Sequence, residues 1–263
     1  MKRLILNITF LVFMALGSMN AIAHDSTVKY GITISHDGEQ IAYGKSGSGE
    51  IALIFIHGWS LDSRLWQNQV SEFSKLYQVI TMDLAGHGNS SFNREDYTMV
   101  AFAEDIKAVI EKEQLESVIL VGHSMAGGVI AEAAKLMPKR VKGIIGVDTS
   151  QNVALAVSQS DLDADLLYWV TQDMASAPPA IAINQFRHYL GQYVTGEAHR
   201  VYENVNVPVI LVNARLWPTD SEANKKHIKD YSIYYIEDSG HFPMLEQPQQ
   251  FNTTLMKAVK SVK

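Results

Sequence analysis

Five segments of this 263-residue chain are almost unbroken runs of apolar, mostly β-branched residues, and stretches of helical spacing separate them. The runs are Ile51–Ile56, Gln78–Met82, Ser117–Val121, Lys142–Val147 and Val207–Val212, and a further strand-like segment, Tyr231–Ile236, follows near the C-terminus. A strand with one face in water alternates apolar and polar residues. A strand that is apolar at every position has to be covered on both faces, as in a parallel sheet with helices above and below. Between the runs, Leu65–Phe73, Thr98–Glu113, Val129–Met137 and Ser221–Lys229 carry helical periodicity, and Thr98 is a natural helix cap. Val28–Ile34 and Gln40–Tyr43, on either side of Asp37-Gly38, read as a hairpin or edge pair. The pattern predicts an α/β fold with a doubly wound, mostly parallel sheet and helices on both faces.

One interval breaks the alternation. From Ser150 to Asn206 there is no strand-like run, only short helical patches, a Pro178-Pro179 break and the aromatics Tyr168, Trp169, Phe186, Tyr189 and Tyr193. A structureless loop of that length does not suit a compact domain. The expectation is a helical cap inserted between two sheet strands at about residues 150–206, lying over the functional site.

The N-terminus predicts the compartment. Lys2 and Arg3 precede the apolar run Leu4–Gly17, and small residues follow to Ala21-Ile22-Ala23. This is the three-part pattern of a secretory signal peptide, residues 1–23, cut after Ala23. Cleavage would leave residues 24–263 as one exported domain, periplasmic or secreted. The run is short of the roughly 20 residues that span a bilayer. If it is retained instead, it makes an N-terminal membrane anchor. No later segment reads as a membrane span, so the mature form is expected to have none.

Composition narrows the function classes. With 22 basic against 28 acidic side chains and no basic stripe, nucleic acid is not an expected partner. The absence of cysteine removes disulfides, thiolate metal sites and a cysteine nucleophile. No H-E-x-x-H or other metal-spaced cluster stands in the sequence, and neither a metal nor a cofactor is expected. Oligomeric state is not encoded in any of these features.

Gly122-His123-Ser124-Met125-Ala126-Gly127-Gly128 follows one apolar run and opens a helix. In that setting Ser124 sits on a sharp strand-to-helix turn with its hydroxyl above the sheet. The turn crowds the positions two before and two after the serine. Both are small here, Gly122 and Ala126, although Ala126 departs from the strict G-x-S-x-G form.

On these residues the chain resembles the α/β-hydrolase superfamily, over nearly all of the sequence after residue 23. His57-Gly58-Trp59 is similar to the family's oxyanion loop, which implies that the backbone N–H groups of Trp59 and Met125 hold an oxyanion. Asp83-Leu84-Ala85-Gly86-His87-Gly88-Asn89-Ser90 is similar to the family's loop after the next strand, with Asp83 and His87 bonding backbone. The resemblance makes His241, in Ser239-Gly240-His241-Phe242-Pro243, the general base that activates Ser124.

The acid that orients His241 has two candidates. Asp148 ends the run Lys142–Val147, where some relatives carry it. Asp220 lies after Val207–Val212, nearer the family's usual place, but Thr219-x-x-Glu222 reads as a capping box with Asp220 in the first helical turn.

The implied function is a metal-free serine hydrolase that cleaves an ester-type bond of a small, partly apolar molecule through an acyl-enzyme. The same fold and triad also serve carbon–carbon bond hydrolases, lactonases, aminopeptidases and cofactor-free haloperoxidase-like enzymes. A non-catalytic binding protein is a further alternative, whose usual mark, a lost serine or histidine, is missing here.

Overall fold

A computed structural model gives the fold and describes residues 28–155, 177–215 and 217–262. The signal-peptide expectation for residues 1–23 lies outside these, as does the cap stretch 156–176 with Tyr168 and Trp169. Eight strands form one sheet: Lys29–Ile34 (β1), Gln40–Ser46 (β2), Ala52–Ile56 (β3), Gln78–Met82 (β4), Val118–His123 (β5), Val141–Val147 (β6), Val209–Ala214 (β7) and Tyr231–Ile236 (β8). Their spatial order is β1-β2-β4-β3-β5-β6-β7-β8. β1 and β2 form the expected antiparallel hairpin, β2 meets β4 antiparallel, and every pairing from β4 to β8 is parallel.

The two-sided burial that explains the apolar runs is visible residue by residue. In β3, Ile54 and Ile56 enter one core, with Phe102, Ile106 and Val109 of α2 (Met99–Lys112) and Val129 and Ile130 of α3 (Ala126–Leu136). Leu53 and Phe55 enter the opposite core, with Phe73 of α1 (Gln67–Phe73) and neighbouring Trp66. All four β3 side chains are fully buried, each worth about 1.5–3 kcal/mol of apolar transfer. Thr98 caps α2 by accepting from the Ala101 N–H at 3.1 Å.

Between β6 and β7 the described chain carries Pro179–Val194 (α4) and Arg200–Glu203 (α5). Ser221–His227 (α6) crosses from β7 to β8, and Pro243–Glu246 (α7) and Pro248–Ser261 (α8) end the chain. Phe251 and Leu255 of α8 complete the second core. Among the described residues no helix is long and apolar enough to cross a membrane.

The chain runs from β3 to the neighbouring β4 and then crosses β3 to β5 on its other side. A crevice opens at the carboxyl ends of the strands where the order reverses. The loops leaving β3, β5, β6 and β8 there carry the residues of interest.

Candidate active site

Ser124 stands between β5 and α3 at φ 53°, the left-handed region that an L-residue enters only when its surroundings hold it there. Its N–H donates to the Val147 carbonyl at 2.9 Å and its carbonyl accepts from the Gly127 N–H at 3.0 Å, tying the turn to β6 and to the helix start. The crowding expected two residues before the serine is real. A Cβ on Gly122 would lie 2.8 Å from the Ala126 carbonyl oxygen and 3.0 Å from Ile130. Ala126 is fully buried, so its methyl is absorbed by the core.

His241 follows β8. Its Nε2 lies 3.0 Å from Ser124 Oγ and its Nδ1 2.5 Å from Asp148 Oδ2. Asp148 has a fully buried side chain, and its other oxygen accepts from the Ala214 N–H at 3.0 Å. Ser124, His241 and Asp148 therefore come together, and Asp220 does not join them. Asp220 is exposed and is itself the cap of α6, accepting from the Ala223 N–H at 2.9 Å. The Thr219 capping box is thus corrected by one residue. Thr219 Oγ1 instead accepts from the side-chain amide of Asn213, while Asp220 caps the helix in its place.

Two further residues hold the His241 loop, and linear reading assigned neither a role. Glu246, in α7, accepts from the N–H groups of Gly240 at 2.6 Å and Phe242 at 3.1 Å, which hold its carboxyl below the usual range. The signal for it was a glutamate soon after the histidine, in a turn opened by Pro243. The fully buried His123 meets the His241 carbonyl through Nε2 at 2.8 Å. Burial, reinforced by the nearby His241 ring, pushes the His123 imidazole down to about 3. It is neutral, and the proton must be on Nε2, because a carbonyl can only accept.

Gly58 packs against this pair: a Cβ there would lie 2.7 Å from His123 Nδ1 and 3.2 Å from Ser124 Cβ. Only a glycine lets the β3 loop run this close to the serine. Among the described residues, the backbone N–H groups of the next residue, Trp59, and of Met125 meet no protein acceptor. The Trp59 indole N–H donates to the Ala182 carbonyl of α4 at 2.8 Å, and its ring stacks on Phe186, so α4 and the loop are joined.

Asp83 and His87 bond the backbone. Asp83 accepts from the Ser63 and Asn89 N–H groups, each at 2.8 Å, and His87 Nδ1 lies 3.0 Å from the Ala85 carbonyl. His57 accepts from the Leu84 N–H at 3.0 Å. Burial lowers both imidazoles, His87 to about 3.

A cavity of about 440 Å³ opens over Ser124 and His241. Trp59, Leu61, Met125, Phe186, Tyr189 and Trp217 give it apolar walls, with Gln151 among its few polar groups. That volume suits a small organic molecule.

Comparison with known proteins agrees with this fold. The family model for the alpha/beta hydrolase fold matches residues 51–196. The acetyltransferase component of the acetoin cleaving system of Cupriavidus necator is 33% identical over 41% of this chain and 29% of its own length. A thermophilic esterase from Thermogutta terrifontis superposes with a TM-score of 0.73 at 21% identity, covering 89% of this chain and 99% of that one. Est816, described as an N-acyl homoserine lactone degrading enzyme, superposes at 0.69 with 21% identity, covering 86% and 99%. The chain spans between 29% and 58% of the length of the curated relatives it matches.

Proposed function

The chain belongs to the α/β-hydrolase fold family, and from that premise we propose that it is an exported serine hydrolase acting on an ester-type bond of a small, partly apolar substrate. The observation that carries the proposal is the His241 ring, bridging Ser124 Oγ at 3.0 Å and Asp148 Oδ2 at 2.5 Å. Asp148 accepts a hydrogen bond from the Nδ1–H, which keeps the ring proton there and leaves Nε2 as a base facing the serine. As Ser124 attacks an acyl carbonyl, Nε2 takes the hydroxyl proton and then delivers it to the leaving alcohol. Water, activated by the same nitrogen, releases the acyl group and restores the serine.

The negative charge that develops on the carbonyl oxygen needs donors already in place. The Trp59 and Met125 N–H groups have no other protein acceptor among the described residues and flank Ser124 on two different loops. Each such donor is worth about 3–4 kcal/mol in the transition state. The aromatic and aliphatic cavity walls favour an apolar acyl or alcohol portion. A lactone is a cyclic ester and lies within the same chemistry. Export rests on Lys2, Arg3 and the Leu4–Ala23 pattern.

A fluorophosphonate probe tests the reading. The folded protein should take up one equivalent at Ser124, located by peptide mass, with labelling abolished in Ser124→Ala and strongly slowed in His241→Ala. Labelling elsewhere, or equal labelling of the His241 variant, would overturn it.

A further inference from the structure

Away from this site, His199, Glu203 and His227 each turn one ligand atom to a common point, all within 4.8 Å of one another. We infer that these three side chains form a site for a divalent transition-metal ion of the zinc class, clipping α5 to α6. The inference does not rest on the hydrolase reading.

The donor set carries the chemistry. Two imidazoles and one carboxylate suit zinc and its borderline neighbours, whereas calcium and magnesium prefer oxygen throughout. The spacing is also close to right. Zinc bonds of about 2.0–2.1 Å set tetrahedral donors about 3.4 Å apart. His199 Nε2 and Glu203 Oε1 already lie 3.4 Å apart, four residues along the same helical face. His227, at the end of α6, brings its ring to 4.6 Å from that of His199. Metal binding would require the partly exposed side chains to close the remaining gap from 4.8 Å. Two of the nearby cations are paired with other carboxylates, Arg200 with Glu197 at 2.6 Å and Lys225 with Glu222 at 2.7 Å. Three protein ligands leave a fourth position for water.

The location gives the clip a purpose. In α5, the buried Tyr202 hydroxyl is 2.5 Å from Ser150 Oγ. In α6, the Asn224 side chain donates to the Ser150 carbonyl at 2.6 Å and accepts from the Val153 N–H at 2.9 Å. Both metal-bearing elements are therefore pinned to the segment that leaves Asp148. A bound ion would fix that segment from behind without touching the cavity. His199 and Glu203 stand four residues apart, and the fold brings His227 to them.

The test is zinc binding to the untagged, metal-stripped chain by calorimetry, with cobalt absorption as the spectroscopic reading. One equivalent should bind, with visible cobalt bands that zinc displaces. Zinc at a hundredfold excess over Kd should raise Tm by about 5 °C. Glu203→Gln changes a half-exposed side chain and leaves the fold intact. It and His227→Ala should each weaken binding by more than roughly tenfold and remove the Tm rise, since even loss of an outer-shell partner costs that much. His241→Ala should bind as tightly as the parent. Binding that is absent, survives in both site variants, or is lost in His241→Ala would overturn the inference.

Discussion

Replacing Asp148 by asparagine removes one charge and changes almost no volume, so it isolates what the carboxylate does for His241. The parent oxygens are both engaged, Oδ1 by the Ala214 N–H at 3.0 Å and Oδ2 by His241 Nδ1 at 2.5 Å. The new carboxamide has one acceptor to offer. If its oxygen stays with Ala214, its NH₂ faces Nδ1, which must then accept, and the ring proton moves to Nε2, opposite Ser124. A base that already carries its proton cannot take another from the serine. If the amide flips, its NH₂ faces the Ala214 N–H, and two buried donors confront each other at a cost of about 1–3 kcal/mol. The first arrangement wins, and it is the inactive tautomer. Loss of the correct tautomer lowers kcat by about 10⁴ in the triad case studied most fully, close to 5 kcal/mol of barrier.

Stopped hydrolysis of a p-nitrophenyl ester, fitted for kcat and KM separately, reads this out. Asp148→Asn should lose about four powers of ten in kcat with KM little changed, because the side chain reaches the substrate only through the imidazole. Asp220→Asn should keep parental kcat, since asparagine caps a helix as well as aspartate does. Asp148→Asn retaining kcat within tenfold of the parent, or Asp220→Asn losing most of it, would refute the assignment.

Other consequences follow from the same atoms. Gly58→Ala puts a methyl 2.7 Å from His123 Nδ1 and 3.2 Å from Ser124 Cβ, so the loop must retreat and take the Trp59 N–H with it. kcat for the same ester should fall at least about tenfold, towards the hundredfold loss of one oxyanion donor, and circular dichroism should remain native. Acid should unfold the protein early. His57, His87 and His123 are buried and neutral, with His87 and His123 lowered to about 3. Below pH 6.5 the unfolded chain binds protons at these rings that the folded chain does not, so stability falls as pH falls from 6.5 towards 3. At pH 5.5 His87 and His123 together cost about 3 kcal/mol, and His57 adds in the same direction. Urea unfolding from pH 7 to 5 checks this, and His87→Gln should flatten the slope by about one proton.

The sheet was legible because its signal is local. A strand buried on both faces has no choice but to be apolar throughout, so β3 to β7 announce themselves, and Thr98 and Ser124 sit at boundaries that their own chemistry marks. The edges slipped where one residue decides. β7 begins at Val209 because Pro208 has no N–H for the ladder, and it runs on to Ala214. Roles that depend on distant segments were not legible: His123 needs the His241 carbonyl, and Glu246 needs the Gly240 and Phe242 N–H groups to come back to it.

The acid was ambiguous for the same reason, and the sheet register shows why. Val147, the last residue of β6, pairs with Val212, and β7 runs only two residues further, so the chain leaving either strand could carry a carboxylate towards the imidazole. Sequence order cannot rank two adjacent tips. The residue that separates them is Asn213. Its carboxamide accepts from the Thr149 N–H at 3.2 Å and donates to the Thr149 carbonyl at 3.0 Å and to Thr219 Oγ1 at 2.9 Å. A carboxylate could accept the first of these but could donate neither of the others. The β7 tip is thus committed to bracing the turn behind Asp148, a task that needs an amide. The β6 tip, with Asp148 at φ 43° and its side chain sealed from water, is where an acid can reach Nδ1 without breaking that brace.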